Sequence, residues 1–270
     1  MTERIVLTNN YLSKSKLPVS DYVINPYIGC LHGCKYCYAC FMKRFTHHPE
    51  PWGDFIDAKF CDKPINLKTI KGSSVVLSSV TDCYNIAEEK YGITRRILEQ
   101  LVDSECSVTV VTKSALVLRD IDVLKQINNL TVAISINTLD ENFKNDMDKA
   151  SSISERLRAL KVLRDNGIEN ALFMSPIFPA ITEFKSIIEA SRNFVDTYWF
   201  ENLNLRGSFR TTILDYVKEK YPNVYPLYKE IYIDKDRTYW ESLAEEINQY
   251  CEQEDINYIN YFYHEQIRKP

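Results

Sequence analysis

The sequence predicts an α/β fold: a partial (β/α)6 TIM-like barrel with a C-terminal helical extension. Short β-branched runs alternate with segments whose apolar residues recur at helical spacing, which is typical of repeated βα units. Runs such as VVLSSV, SVTVVT and TVAISI are apolar at nearly every position, as expected for parallel strands covered on both faces. Periodicity alone does not separate an open barrel from a flat doubly wound sheet, but six successive units favour the barrel.

Six strands are expected. They span Tyr22–Ile28, Val75–Val80, Val108–Thr112, Thr131–Ile136, Ala171–Ser175 and Thr197–Leu203. Apolar stripes predict helices around 97–102, 121–127, 157–163 and 184–188. Thr94 and Thr182 are the expected N-caps of two helices, and Gly167 is the expected C′ glycine of another.

The pattern changes after Leu205 to helices rich in tyrosine. We therefore assign 1–205 to the barrel and 206–270 to a helical extension packed on the same domain. The extension is either a solvated cap on the barrel or a lid that faces the substrate.

Composition and charge exclude several protein classes. The 270 residues are 45% hydrophobic and 26% charged, which excludes disordered and collagen-like chains. The 33 basic and 37 acidic residues give a net charge of −4, so no overall positive field attracts nucleic acid or an anionic membrane. No apolar run approaches the roughly 20 residues of a membrane helix, and no secretory signal is present. A cytoplasmic location is expected, in which the eight cysteines are reduced and serve as metal ligands, catalytic groups or packing residues.

The sequence GCLHGCKYCYAC over 29–40 places Cys30, Cys34 and Cys37 in a C-x3-C-x2-C motif just after the first predicted strand. Three thiolates at this spacing suit a [4Fe–4S] cluster whose fourth iron stays open to an external ligand. Structural zinc is the alternative. A zinc site usually has four ligands in two separated pairs, and the spacing of the nearby Cys40, His32, His47 and His48 does not complete such a pattern.

With an aromatic residue, Tyr36, before its third cysteine, this motif resembles that of the radical S-adenosylmethionine superfamily. The segments NPYIGCLHGCKYCYA, SSVTDCYNIAEEKYGITRRILEQL, VTKSALVLRDIDVL and SERLRALKVLRDNGI are similar to the spore photoproduct lyase-like branch of that superfamily. The similarity covers roughly 22–203. Beyond it, the chain resembles, less closely, radical proteins of mobile-element gene pairs.

The resemblance implies that S-adenosylmethionine chelates the open iron and is cleaved reductively to a 5′-deoxyadenosyl radical. That radical would abstract hydrogen from an unidentified organic substrate, in a lyase or transferase-like reaction. An external electron donor of the flavodoxin or ferredoxin type is also implied. The alternative is a non-catalytic iron–sulfur protein that senses redox state or binds a partner.

Parallel barrels hold their sites at the C-terminal ends of the strands, and the resemblance implies cofactor contacts there. Ser79, Thr81 and Asp82 follow the second strand and are expected near the methionine amino group, and Lys113 ends the third strand. For Asp82 and Lys113, the alternative is that they pair with each other.

Three further cofactor contacts come from later elements. Ser135 and Asn137 on the fourth strand suit the ribose hydroxyls, and Arg156 is expected to pair with the methionine carboxylate. The backbone around Tyr36 and Tyr38 is expected to meet the adenine. The alternatives are that Arg156 lies on a solvated helix face and that Ser135 is a small packing residue.

Cys83 lies at the mouth of the second strand, where it could donate a hydrogen atom or pack as a small side chain. In photoproduct lyases a cysteine immediately before the strand-four serine donates hydrogen, and here that position is Ile134. This departure and the net charge argue against duplex DNA as the substrate. Substrate contacts are instead expected after the sixth strand, at Glu201, Asn202, Asn204, Arg206 and Arg210.

Overall fold

The computed structural model describes residues 1–207 and 209–263. Its strands are β1 (Thr2–Leu7), β2 (Leu12–Lys14), β3 (Tyr22–Ile24), β4 (Tyr27–Gly29), β5 (Phe55–Phe60), β6 (Ser74–Leu77), β7 (Ser107–Thr112), β8 (Leu130–Ser135), β9 (Glu169–Ile177), β10 (Thr197–Asn202) and β11 (Tyr258–Asn260). Its α-helices are α1 (Leu67–Ile70), α2 (Ala87–Tyr91), α3 (Ile93–Leu101), α4 (Ile121–Leu124), α5 (Glu141–Met147), α6 (Ile153–Asp165), α7 (Phe184–Ser191), α8 (Phe209–Lys220), α9 (Tyr225–Tyr232) and α10 (Thr238–Gln253). Two 3-10 helices span Tyr38–Phe45 and Ala115–Asp120.

The large sheet has the order β11-β10-β9-β8-β7-β6-β3-β2, and every neighbouring pair is parallel except β2 with β3. Helices α3, α4, α6 and α7 lie between its strands along the chain, as the apolar stripes predicted. The predicted α/β fold, a mostly parallel sheet of the partial barrel type, is therefore confirmed.

The first predicted strand is divided at Pro26. Its first half, β3, stays in the large sheet, whereas β4 turns away and pairs with β5 in a second sheet of order β1-β5-β4. Proline has no backbone N–H to donate to a ladder, so a strand seldom continues through it. The turn carries the cysteine motif away from the large sheet toward β5.

The C-terminal extension is not purely helical, because β11 pairs in parallel with β10. The three-residue strand was missed because an alternating signal this short cannot be told from a loop. The extension thus adds a seventh parallel strand to the barrel sheet.

The two faces of the large sheet, both of which were predicted to be covered, differ in how deeply some of their side chains are buried. Residues in register on neighbouring parallel strands share a face. Val110, Val132 and Leu172 lie on the face packed against helices and are completely buried. Phe173 and Trp199, in register with each other on the opposite face, are only partly buried. That opposite face lines the interior of the open barrel.

The local capping predictions had mixed outcomes. Gly167 follows the α6 C-cap with a φ of 69°, as predicted. The N-cap predictions were wrong, because α3 begins after Gly92 and α7 begins after Glu183. The hydroxyls of Thr94 and Thr182 donate instead to distant carbonyl groups, a use that local sequence does not reveal. No helix in the described part of the chain is long and apolar enough to cross a membrane.

Candidate active site at the cysteine loop

The three motif cysteines lie on a tight loop between β4 and the 3-10 helix Tyr38–Phe45. Within it, the Gly33 N–H donates to the Cys30 carbonyl at 3.3 Å and the Cys37 N–H to the Cys34 carbonyl at 3.1 Å. Gly29 opens the loop with a φ of 89°, and a Cβ there would collide with the backbone carbonyl of Phe55. Only glycine satisfies both conditions.

The segment 147–149 holds one side of this loop. The Lys35 N–H donates to the Met147 carbonyl at 2.9 Å, and the Lys149 N–H donates to the His32 carbonyl at 2.8 Å. The Tyr36 hydroxyl adds a 3.3 Å hydrogen bond to Asp148. These three contacts fix the backbone between the first and third cysteines.

The segment just before β5 holds the other side. A Cβ on Gly53, whose φ is 103°, would lie only 2.8 Å from the Cα of Gly33, so the two backbones are packed directly against each other. The indole nitrogen of the adjacent Trp52 is buried and makes no hydrogen bond within the described residues. It lies close enough to Cys37 to oppose the rise in the pKa of that thiol.

The electrostatic setting of the three thiols suits a metal cluster. Burial is the largest cause that raises the pKa of Cys30, Cys34 and Cys37, and the thiols reinforce one another. Backbone N–H groups of His32 and Ala39 oppose the rise at Cys30 and Cys37. A buried sulfur that already accepts hydrogen bonds from N–H groups can become a thiolate once a metal supplies the positive charge.

The residues present therefore fit a [4Fe–4S] cluster. The loop offers three cysteines, and the buried indole N–H of Trp52 is suited to a thiolate acceptor at Cys37. Zinc fits less well, because the three cysteines lie on one loop, whereas structural zinc usually takes four ligands in two separated pairs.

Asp82 joins the cysteine loop to the ends of β6 and β7. It accepts hydrogen bonds from the Thr112 hydroxyl at 2.7 Å, the Lys113 N–H at 2.8 Å and the Tyr84 N–H at 2.9 Å. The His32 ring nitrogen lies 3.1 Å away. Although burial alone would raise the pKa of Asp82, His32 and the other donors hold it below its usual value. The alternative in which Asp82 pairs with the Lys113 ammonium is wrong, because that group donates to the Ser175 carbonyl at 3.1 Å.

Arg156 is 1% exposed, so the alternative of a solvated helix face is wrong. Its guanidinium donates to the Ser151 carbonyl at 2.8 Å, the Ser135 carbonyl at 3.2 Å and Asp148 at 2.7 Å. Burial alone would raise the pKa of Asp148, but Arg156 and the other cations hold it below its usual value. The ion pair thus ties the end of β8 to the segment that holds the cysteine loop.

Comparison with known proteins identifies the family. The family model described as the radical SAM superfamily matches residues 24–190. The chain belongs to the radical SAM superfamily. Proteins of this superfamily use a [4Fe–4S] cluster and S-adenosylmethionine, which they cleave reductively. The resemblance drawn from the cysteine motif is therefore confirmed.

Two relatives are described as uncharacterized proteins. One, from Methanocaldococcus jannaschii, is 38% identical over 218 residues, which cover 80% of this chain and 82% of the relative. Another, from Acidianus two-tailed virus, is 31% identical over 171 residues, covering 58% of this chain and 56% of the relative. Neither relative indicates a substrate for this chain.

Two solved structures share the fold. Spore photoproduct lyase complexed with dinucleoside spore photoproduct has a TM-score of 0.59 at 18% identity, covering 81% of this chain and 66% of the lyase. Streptococcus suis SuiB bound to S-adenosylmethionine has a TM-score of 0.58 at 14% identity, covering 88% of this chain and 49% of SuiB. At these identities, the likeness concerns the fold alone.

The predicted radical SAM cofactor contacts form two groups. Beside the cysteine loop, the Thr81 hydroxyl donates to the Gly29 carbonyl at 2.5 Å, and the Tyr38 hydroxyl donates to the Ser79 carbonyl. At the end of β9, the Asn137 amide donates to the Pro176 carbonyl at 2.9 Å. The Lys113 ammonium lies 5.7 Å from the centroid of the Tyr36 ring, between the two groups. Their contacts with S-adenosylmethionine stay predictions.

Cys83 is completely buried in the apolar core, which favours packing over hydrogen donation. Of the candidate substrate residues, Arg210 donates to the Tyr232 carbonyl at 2.7 Å, and Asn202 is buried and accepts the Tyr263 N–H at 3.0 Å. These contacts are structural. Glu201 accepts the Ser175 hydroxyl at the C-terminal end of the barrel.

The sequence analysis missed an aromatic cluster on the interior face, formed by Phe173, Trp199 and Tyr261. The Phe173 and Trp199 ring centroids are 5.7 Å apart, and Tyr261 lies 6.2 Å from the first and 5.9 Å from the second. The Trp199 indole nitrogen is buried and makes no hydrogen bond within the described residues. The shared face of the two strands could have been read from their alternation, but the contact with Tyr261 could not.

Proposed function

We propose that this chain is a radical S-adenosylmethionine enzyme that binds its cluster through Cys30, Cys34 and Cys37. We propose that it abstracts hydrogen from an organic substrate held in the barrel interior. The observation that carries the proposal is the cysteine loop, which adjoining segments hold on both sides beside the polar ends of the parallel strands. When bound, the cluster and S-adenosylmethionine supply the electron and the carbon-centred radical.

The chain's own residues position and enclose these groups. Asp82 and the Arg156–Asp148 pair connect the loop rigidly to β6, β7 and β8, so the three cysteines keep their spacing. The polar groups for the cofactor come from Ser79, Thr81, Lys113, Ser135 and Asn137. Asp82 and Arg156 are buried, and each makes three hydrogen bonds with protein groups, so we assign them to positioning. Such preorganisation keeps the reacting atoms in register.

The substrate end is the interior face at β9 and β10. Phe173, Trp199 and Tyr261 offer apolar ring surface there, and the unused Trp199 N–H can donate to an acceptor atom of the substrate. Ser175 and Glu201 lie farther toward the C-terminal end of the strands. This setting supports an organic molecule or group with a flat apolar part, in a lyase or transferase-like reaction. Together with the net charge of −4, it argues against duplex DNA.

Anaerobic reconstitution with iron and sulfide, followed by dithionite and S-adenosylmethionine, tests the function. The wild type is expected to bind about four irons per chain and to release 5′-deoxyadenosine. Replacing Cys30, Cys34 or Cys37 by Ala should abolish both, whereas Cys40→Ala, on the adjacent helix, should keep both. Unchanged iron content in the first three variants would overturn the ligand assignment. A fully loaded, reducible cluster without 5′-deoxyadenosine would favour the non-catalytic iron–sulfur alternative.

A further inference from the structure

The 3-10 helix Tyr38–Phe45 presents large aromatic side chains to solvent directly after the third motif cysteine. Phe41 is 42% exposed and Phe45 is 66% exposed. The Arg44 guanidinium lies 5.6 Å from the Phe41 ring centroid and 4.7 Å from that of Phe45, so the basic and aromatic groups form one surface. Single exposed apolar residues are ordinary, but a contiguous group with an arginine is typical of a protein interface.

The charge of this surface is opposite to that of the whole chain. Residues 31–49 contain no Asp or Glu, and they include Lys35, Lys43 and Arg44, whereas the chain as a whole carries −4. Arg44 is exposed and Lys43 is half-buried. A local positive region on an otherwise acidic protein attracts and orients an acidic partner.

This surface is also close to the cluster ligands. The Cys40 N–H donates to the Cys37 carbonyl at 3.3 Å, so the helix continues without a break from the cysteine loop. Electron transfer weakens steeply with distance, and a carrier resting on Phe41 and Phe45 would be only a few residues from Cys37. Radical SAM proteins need a reductant, and the surface lies where one could deliver its electron.

We propose that residues 41–45 of the helix Tyr38–Phe45 are the docking surface for an acidic one-electron carrier protein. We name this set of residues the basic aromatic helix. The proposal rests on the proposed function, since it assigns the partner that reduces the cluster. One electron passes from the reduced carrier to the oxidised cluster, which leaves the carrier oxidised by one electron and breaks no bond. Phe41 and Phe45 supply the apolar contact, and Lys43 and Arg44 steer the approach.

The test measures how fast a reduced flavodoxin of acidic isoelectric point reduces the cluster, in an anaerobic stopped-flow experiment. The double variant Lys43→Glu/Arg44→Glu is compared with Lys125→Glu/Lys161→Glu, which changes the net charge equally. Lys125 and Lys161 are exposed, in the part of the fold that leads into the N-terminal ends of β8 and β9, opposite the cysteine loop. At low ionic strength, the first variant should slow reduction at least about tenfold, and the control should stay within about twofold.

Salt and a small reductant separate docking from folding defects. The difference between the charge variant and the wild type should shrink at about 0.5 M salt, because ions screen the steering. Phe41→Ser/Phe45→Ser should slow the reaction at both salt concentrations, since apolar contact is not screened. Reduction by dithionite, which needs no docking surface, should proceed at the wild-type rate in every variant.

Several outcomes would overturn the proposal. They are equal slowing in the control variant, equal slowing with dithionite, or an unchanged flavodoxin rate in both helix variants. Capture of anionic vesicles by the helix, without an effect on the flavodoxin rate, would assign it to a membrane instead. The proposed function fails separately: a wild-type cluster that is reduced quickly by flavodoxin but yields no 5′-deoxyadenosine would leave the docking surface intact and remove the enzymatic reaction.

Discussion

Replacing Arg156 by Met should destabilise the protein by about 3–5 kcal/mol, the usual effect of removing one partner from a buried ion pair. The Arg156 and Asp148 side chains are 1% and 2% exposed, and their 2.7 Å contact is accompanied by hydrogen bonds to the Ser151 and Ser135 carbonyls. The methionine side chain fills similar space but leaves Asp148 and both carbonyls without these donors. The loss of stability comes from buried polar groups that are left without hydrogen-bond donors rather than from a loss of side-chain volume.

Thermal unfolding of the cluster-loaded protein measures this effect. At about 2–4 °C per kcal/mol for a chain of this size, the Tm should fall by about 6–20 °C. Arg164→Met is the control on the same helix, because Arg164 is 56% exposed and pairs with Asp196. The control should change stability by less than about 1 kcal/mol. An unchanged Tm for Arg156→Met, combined with weaker S-adenosylmethionine binding, would refute the positioning role and restore the predicted carboxylate contact.

Three further predictions follow from the same structure. Gly53→Ala should lower the iron bound per chain, because its Cβ would lie 2.8 Å from the Gly33 Cα, whereas Gly72→Ala, with open space around it, should keep the iron content. Cys83→Ala should keep 5′-deoxyadenosine formation within about twofold and lower stability by about 1–2 kcal/mol, because the thiol is fully buried; a tenfold loss of product at full iron content would favour hydrogen donation. Asp148 has a lowered pKa in the folded protein, so the unfolded chain binds more protons in acid. Its contribution is complete above about pH 4 and is lost as the pH falls through the folded pKa. Asp148→Asn should therefore flatten the acid side of the stability profile measured by urea unfolding at pH 3–7, and a profile parallel to the wild type would contradict this assignment.

The barrel strands were predictable because each is a continuous apolar run with its own local signal. The failures lie where tertiary pairing decides the structure. Pro26 divides the first predicted strand, but the sequence does not say that its second half will pair with β5. The strand β11 forms because β10 offers an unpaired edge, a condition that three residues in isolation cannot reveal.

The candidate site was predictable in the same uneven way. The cysteine spacing is a local pattern and was read directly from the sequence. Asp148 and Trp52, by contrast, belong to no motif. Asp148 approaches the cysteine loop from a segment far away in the chain, and Trp52 approaches it from just before β5. Arg156 was selected as a site residue from the sequence, but the sequence could not show that Asp148 occupies its guanidinium.

Net charge describes a whole chain, whereas recognition depends on where the charges lie. The value of −4 argues against an extended polyanion such as duplex DNA, because most of the surface would repel it. A small acidic protein meets less repulsion at the basic aromatic helix, where Lys43 and Arg44 lie without an acidic neighbour in the sequence from 31 to 49. The net negative charge of the rest of the chain then aids specificity, because it disfavours encounters in which the carrier would be far from the cluster. An acidic chain with a basic surface beside its cysteines is thus better suited to orienting an electron carrier than a uniformly basic chain would be.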